Sequence, residues 1–200
     1  AAPLHSLSDQ TSNKSLEILK QLILNGSKIG VDDIIIPCVE ISSLKTLESQ
    51  EKFIKIVSTI LDLLDKFDVN LSLETDFAPE DFVDFVSQFD SDKIKINYDT
   101  GNSASLGYDI NEELDIYGNL ISNIHLKDRL LGGGPCLFGK GNVNFEVFFD
   151  KLSKLNYEGS LIFQAFRDEE GVGVFKQQYE WILPLLNKYK KNKESYDKGK

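Results

Sequence analysis

The sequence has no methionine, one tryptophan, two histidines and two cysteines. Each scarcity excludes something. Cys38 and Cys136 stand far apart and form no Cys-x-x-Cys pair, so neither a disulfide framework nor a zinc knuckle is expected, and a reducing, cytoplasmic setting fits. No apolar run approaches about 18 residues, and no basic segment precedes an apolar one at the start, so the sequence predicts neither a membrane span nor a signal peptide. Basic residues are outnumbered, 22 against 32 acidic, for a formal charge of −10. That field repels phosphate backbones and anionic membrane surfaces, so neither nucleic acid nor membrane is expected as a partner. The chain opens on Ala-Ala-Pro and lacks methionine throughout, so it reads as a processed or truncated sequence.

What is present is ordinary for a globular chain. Of 200 residues, 41% are hydrophobic and 27% charged, enough for a sizeable core. The expected organisation is one domain over 1–190 followed by a polar, lysine-rich tail over 191–200. Apolar residues recur at helical spacing over 13–28 and over 47–67, where Phe53, Ile54, Val57, Ile60, Leu61 and Leu64 form one stripe. Further helices are expected at 79–89, 111–117, 145–155 and 176–190. Between them lie short β-branched runs at 33–37, 69–74, 94–98, 120–125 and 160–164. The run Asp33-Ile34-Ile35-Ile36-Pro37 reads as a parallel strand covered on both faces. Residues 130–143, rich in glycine, read as a mobile segment that covers a ligand.

Alternating strands and helices make this an α/β chain with a parallel sheet, either an open doubly wound sheet or part of a (β/α)8 TIM barrel. In both, ligands bind at the C-terminal ends of the strands. Those ends carry Glu40, Glu74, Asp99, His125 and Gln164. Five successive polar tips favour the barrel, because an open sheet collects its site mainly at one switch point.

Singly, each tip has another explanation. Asp99 before Thr-Gly-Asn suits a turn-former whose carboxylate caps local N–H groups. One histidine at a strand end suits a hydrogen-bonded structural role, Glu74 suits an ion pair with Lys95 or Lys127, and Lys127-Asp128-Arg129 suits a solvated turn. Together, at matched positions on successive strands, the carboxylates and the imidazole read as a divalent metal site of mixed oxygen and nitrogen donors, for Mn, Zn, Co or Mg.

The segments Tyr98-Asp-Thr-Gly-Asn, His125-Leu-Lys-Asp-Arg, Phe138-Gly-Lys-Gly-Asn-Val-Asn-Phe and Tyr157-Glu-Gly-Ser-Leu-Ile-Phe-Gln resemble the xylose isomerase-like TIM-barrel superfamily. The closest branch is that of sugar phosphate isomerases and epimerases, including L-ribulose-5-phosphate 3-epimerases, and the resemblance covers about His5 to Trp181. It implies a (β/α)8 barrel, with about five of eight strands present and the first strands missing. It also implies that the chain takes those strands from elsewhere, pairs with another copy as a homo-oligomer, or lacks activity.

The same resemblance implies a metal held by Glu74, Asp99, His125 and a fourth position that falls on Gln164, with Glu74 and the fourth residue as the catalytic pair. A glutamine can offer a neutral oxygen but cannot take a proton. The implied reaction removes a proton next to the carbonyl of a sugar or sugar phosphate and passes through an enediolate. Epimerisation needs an acid/base on each face, whereas aldose–ketose isomerisation needs one, so the latter survives Gln164 more easily. Glu40, Asn102, Lys127, Asp128 and Arg167 are the candidate substrate contacts, with Arg167 and the glycine-rich loop suited to a phosphate or terminal hydroxyl. For Arg167 a surface pair with Asp168 or Glu169 is the competing role. Two further readings are an inactive fragment of the fold and an endonuclease IV-like phosphodiesterase. The latter resembles a trinuclear, histidine-rich zinc site, which two histidines and a charge of −10 oppose. The chain is therefore expected to show no salt-sensitive retention on duplex DNA; retention that falls as salt rises would restore the phosphodiesterase reading.

Overall fold

The computed structural model describes residues 3–155 and 157–198. The chain divides into two compact units, Ala1–Asn97 and Tyr98–Lys200.

In the first unit, α1 (Asp9–Ser27) begins where Ser8 accepts the Thr11 N–H, a side-chain cap for an otherwise orphan donor. It buries Leu19 and Ile23. Strand β1 (Asp33–Cys38) leads through a 3₁₀ turn at Glu40–Ser42 to α2 (Leu47–Ser58) and α3 (Leu61–Phe67). The expected single helix over 47–67 is thus two. Its break falls at Ile60, whose φ of −120° is not helical, next to Thr59, whose hydroxyl donates back to Ile56 O at 2.6 Å. Such back-bonding competes with helix continuation. Strand β2 (Asn70–Thr75), α4 (Pro79–Val86) and β3 (Ile94–Asp99) complete the unit. Proline sits at the start of α4, where its missing N–H costs nothing. β1 runs parallel to β2 from Asp33↔Asn70 to Cys38↔Thr75, and β2 to β3 from Leu71↔Ile94 to Leu73↔Ile96. Phe53, Phe85 and Phe89 meet edge-on or tilted with centroids 5.7 to 6.4 Å apart.

In the second unit, α5 (Thr100–Leu106) follows β3 without a break, and α6 (Ile110–Tyr117) precedes β4 (Ile121–Leu126). The Asp-Thr-Gly-Asn stretch is therefore the first turn of a helix. A hairpin of two-residue strands, β5 (Asp128–Arg129) with β6 (Pro135–Cys136), leads into the glycine-rich segment; then come α7 (Phe145–Leu152), β7 (Ser160–Phe163) and α8 (Val172–Lys198). β4 runs parallel to β7 from Asn123↔Ser160 to Leu126↔Phe163. The helix α8 carries on through the stretch expected to be a polar tail, reaching Lys198. Lysine is a good helix former.

Within the first unit β1, β2 and β3 lie side by side in that order, and within the second β4 lies beside β7, all of these pairings parallel. β1 is an edge strand, and its Ile34, Ile35 and Ile36 are half-buried. An apolar run matches a doubly covered strand in composition; position in the sheet decides its burial. Among the described residues no helix is long and apolar enough to cross a membrane.

One buried carboxylate organises the second unit behind the strands. Glu113 on α6 is 2% exposed. Its Oε2 accepts from the Tyr98 hydroxyl at 2.8 Å and from the Ser103 hydroxyl, and its Oε1 accepts from the Tyr117 hydroxyl at 2.7 Å. Burial pushes the Glu113 carboxyl up, and the three hydroxyl donors oppose that rise. A raised folded value means that the folded chain holds the proton longer than the unfolded one. The stability this provides is full below the ordinary value of 4.5 and is lost as pH rises through the folded value. Urea unfolding of wild type and Glu113→Gln from about pH 4 to about pH 8 is expected to show wild-type stability falling relative to the variant as pH rises; a pH-independent difference would contradict the assignment.

Candidate functional site

Side chains alternate along a strand, so residues two apart share a face. On β2 this pairs Ser72 with Glu74, on β3 Asn97 with Asp99, and on β4 Asn123 with His125. The face that ends in ligand-type groups is polar one step down the strands as well.

In the first unit Glu74 is buried at the end of β2. Asn97 Nδ2 donates to its Oε2 at 2.9 Å, fixing the carboxylate's orientation. At the end of β1, burial followed by the charges of Glu74 and Asp76 pushes the Cys38 thiol up to about 12. It therefore stays protonated at neutral pH and is a poor nucleophile. Glu40 is exposed and sits at φ 53°, a left-handed conformation costly for a residue with a Cβ. The 3₁₀ turn beginning at Glu40 is followed by Ser43, whose hydroxyl lies 2.7 and 2.8 Å from the two oxygens of Asp76. Neither Ser43 nor Asp76 has a sequence signature beyond its polarity.

In the second unit Asp99 performs two tasks. Its Oδ1 accepts the Asn102 N–H at 2.8 Å as the cap of α5. Its Oδ2 lies 4.0 Å from His125 Nδ1 and 3.5 Å from Lys127 Nζ. The capping role and a ligand role, alternatives in the sequence, are compatible because they call on different oxygens. Thr100, missed by sequence reasoning, locks this arrangement: its hydroxyl donates to Lys127 O at 2.7 Å and accepts the Lys127 N–H at 3.0 Å. Helix α5 is thereby fastened to the chain that leaves β4. Gly101 is needed there, since a Cβ would come within 2.8 Å of Lys127 Cγ.

Two residues expected to touch substrate are engaged elsewhere. Asn102 Oδ1 accepts from Arg129 Nη1 at 2.8 Å, and the same guanidinium donates to Gly133 O through Nε at 3.0 Å and Nη2 at 2.8 Å. Asp128 is fully buried, and its carboxylate accepts the N–H groups of Gly139, Gly141 and Val143 at 2.9, 2.9 and 3.2 Å. Its oxygens thus shape a loop. A Cβ on Gly141 would stand 2.1 Å from Asp128 Oδ1, so the Gly-Lys-Gly spacing serves this carboxylate. The 130–143 segment, expected to be mobile, is a strap held by Arg129 and Asp128, with Leu131 N–H bonded to Asn142 Oδ1 at 2.8 Å. Gln164 follows β7 and is exposed; its N–H donates to Leu126 O at 2.9 Å. With Lys127, Phe163 and Arg167 it lines a cavity of about 540 Å³.

Asp128→Ala takes the acceptor from three amide N–H groups, of which that of Val143 is buried, and is expected to cost about 2 kcal/mol or more in urea unfolding. Asp128→Asn, which keeps one acceptor oxygen, is expected to lose less. A loss below about 1 kcal/mol for Asp128→Ala would show that the loop does not depend on this carboxylate.

Comparison with known proteins agrees with this architecture. A Haemophilus influenzae protein named "Putative L-ribulose-5-phosphate 3-epimerase SgbU" is 27% identical over 93% of this chain and 70% of its own length. Among solved structures, a xylose isomerase domain protein from Planctomyces limnophilus superposes with a TM-score of 0.79 at 19% identity, over 96% of this chain and 70% of that one. The IOLI protein, described with a bound zinc atom, superposes with a TM-score of 0.72 at 15% identity, over 97% and 74%. These similarities accompany a family-model match over residues 2–185, and the chain belongs to the xylose isomerase-like TIM barrel family.

Proposed function

We propose that this chain is a metal-dependent sugar or sugar-phosphate isomerase or epimerase that removes a proton next to a carbonyl. One observation carries the reading. Glu74 in the first unit and Asp99 and His125 in the second are all buried, and each offers a ligand atom from the end of its strand. Buried carboxylates lose hydration, a cost that a divalent cation offsets. The donor set of two hard oxygens and one imidazole suits Mn, Zn, Co or Mg. The supporting contacts fit too: Asn97 orients Glu74, and the cap on Asp99 Oδ1 leaves Oδ2 available. When bound, the metal supplies electrostatic stabilisation of the enediolate charge.

The chain's own groups do the rest. Glu74 takes the proton and returns it, and its burial keeps bulk water from competing. Lys127, next to Asp99 and on the wall of the cavity, holds a substrate oxygen. Arg167 on the same wall receives the phosphate or the distal hydroxyl of the sugar. Gln164 offers an amide oxygen to the metal or to a hydroxyl, and it is no acid/base. A single base on one face therefore favours aldose–ketose isomerisation over epimerisation. Both thiols are free, which supports a cytoplasmic setting. A second reading, a fold member without activity, rests on Gln164, which cannot act as an acid/base, and on the first strands that the resemblance implies are missing.

Purified protein incubated with Mn²⁺ or Zn²⁺ is expected to retain one ion per site, and Glu74→Ala and His125→Ala to weaken binding at least about 100-fold. Unchanged metal content in both variants would sink the proposal. Sugar phosphate incubated with the loaded protein in D₂O is expected to gain deuterium beside the carbonyl. If only Gln164→Glu gains this exchange, the inactive reading stands.

A further inference from the structure

Gln178 on α8 is 2% exposed, and no part of the mechanism uses it. A side-chain amide has two donor hydrogens and an oxygen with two lone pairs. Here four bonds meet at it. Its Oε1 accepts the Phe166 N–H at 3.1 Å and the Phe138 N–H at 3.4 Å. Its Nε2 donates to Phe166 O at 2.8 Å and to Val174 O at 3.2 Å. Three pieces of the second unit are joined through this one group: the glycine strap at Phe138, the segment that follows β7, and the start of α8.

The bond to Phe166 is two-pointed, since both its N–H and its C=O bind the same amide. That is what a neighbouring strand would supply. β7 ends at Phe163, and Gln178 takes over the backbone of the next stretch. This stretch matters because Gln164, Ala165, Phe166 and Arg167 line the cavity beside Lys127. Arg167 follows Phe166 directly, so any rotation of the Phe166 peptide is passed to the residue that presents the guanidinium. The strap is fixed at the adjoining position by Asp128, which binds Gly139 N–H. The segment is thus braced against a loop that is itself anchored.

We propose that Gln178 is a positioning residue for ligand binding: it holds residues 164–167 against the glycine strap, and the affinity of the cavity for an anionic group depends on it. The inference deepens the reading of this cavity as the place where a sugar phosphate seats its phosphate, and rests on it. Beyond the bond of Gln164 N–H to Leu126 O the segment leaves its sheet, and binding groups placed on such a segment keep their geometry only if a supporting contact locks them.

The test combines calorimetric titration of inorganic phosphate with amide hydrogen exchange, on wild type, Gln178→Leu and Gln178→Glu. Gln178→Leu is expected to bind phosphate about tenfold more weakly. In the same variant the peptides holding Phe138 and Phe166 exchange faster together, while Gly141 and Val143, held by Asp128, keep their protection. Gln178→Glu retains acceptor oxygens for the two N–H groups but has no donor for Phe166 O when ionised, so its values fall between; it also serves if the leucine variant does not fold. Equal phosphate affinity in wild type and the folded variants overturns the proposal while leaving the cavity reading intact. Faster exchange over the whole second unit overturns it too, since that marks general destabilisation. If wild type binds no phosphate, the cavity reading fails and the dependence of affinity on Gln178 fails with it.

Discussion

The capping of α5 by Asp99 is the interaction on which the site depends. A strand that ends in an aspartate and passes at once into a helix leaves that side chain no freedom to swing away, because Oδ1 is engaged by the helix amide. The remaining oxygen is presented toward His125 and Lys127. The interaction that starts the helix also fixes where the second oxygen lies. Thr100 and Gly101 secure it, one by hydrogen bonds to Lys127 and the other by permitting the chain after β4 to approach.

Beyond the strand tips, the second unit relies on buried polar side chains. Asp128 gathers three amides of the strap, Gln178 joins the strap to the segment after β7, and Glu113 gathers three side-chain hydroxyls. The first two replace a ladder or cap that irregular backbone lacks, and burial makes such bonds costly to lose. This explains how a loop with so many glycines stays ordered. Glycine gives the backbone its tight approach to the carboxylate, and the carboxylate in turn removes the freedom that glycine adds.

Strand and helix existence was legible because hydrophobic periodicity is a local signal, and the strands at 70–75 and 94–99 fall close to where the apolar runs place them. Boundaries and roles were less so. The break at Ile60 is invisible in a stripe that continues in helical phase through it. The run Ile34-Ile35-Ile36 reads as doubly covered, whereas its place at the sheet edge leaves it half-buried. For the site, Glu74, Asp99 and His125 stood out because strand-end carboxylates and imidazoles are chemically conspicuous. Asp128 and Asn102 stood out for the same reason, and sequence does not show that the one also binds loop amides and the other also binds Arg129.

The sequence by itself determined the alternation of strands and helices and the polar residues at the strand ends, since both follow from residue type and spacing. Tertiary structure alone decided which oxygen of Asp99 faces the site, that Asp128 and Asn102 are turned to the loop and to Arg129, and that Gln178 carries the segment after β7. These depend on which N–H groups remain unpaired once the strands and helices are in place, a property of the packed chain that no local pattern contains.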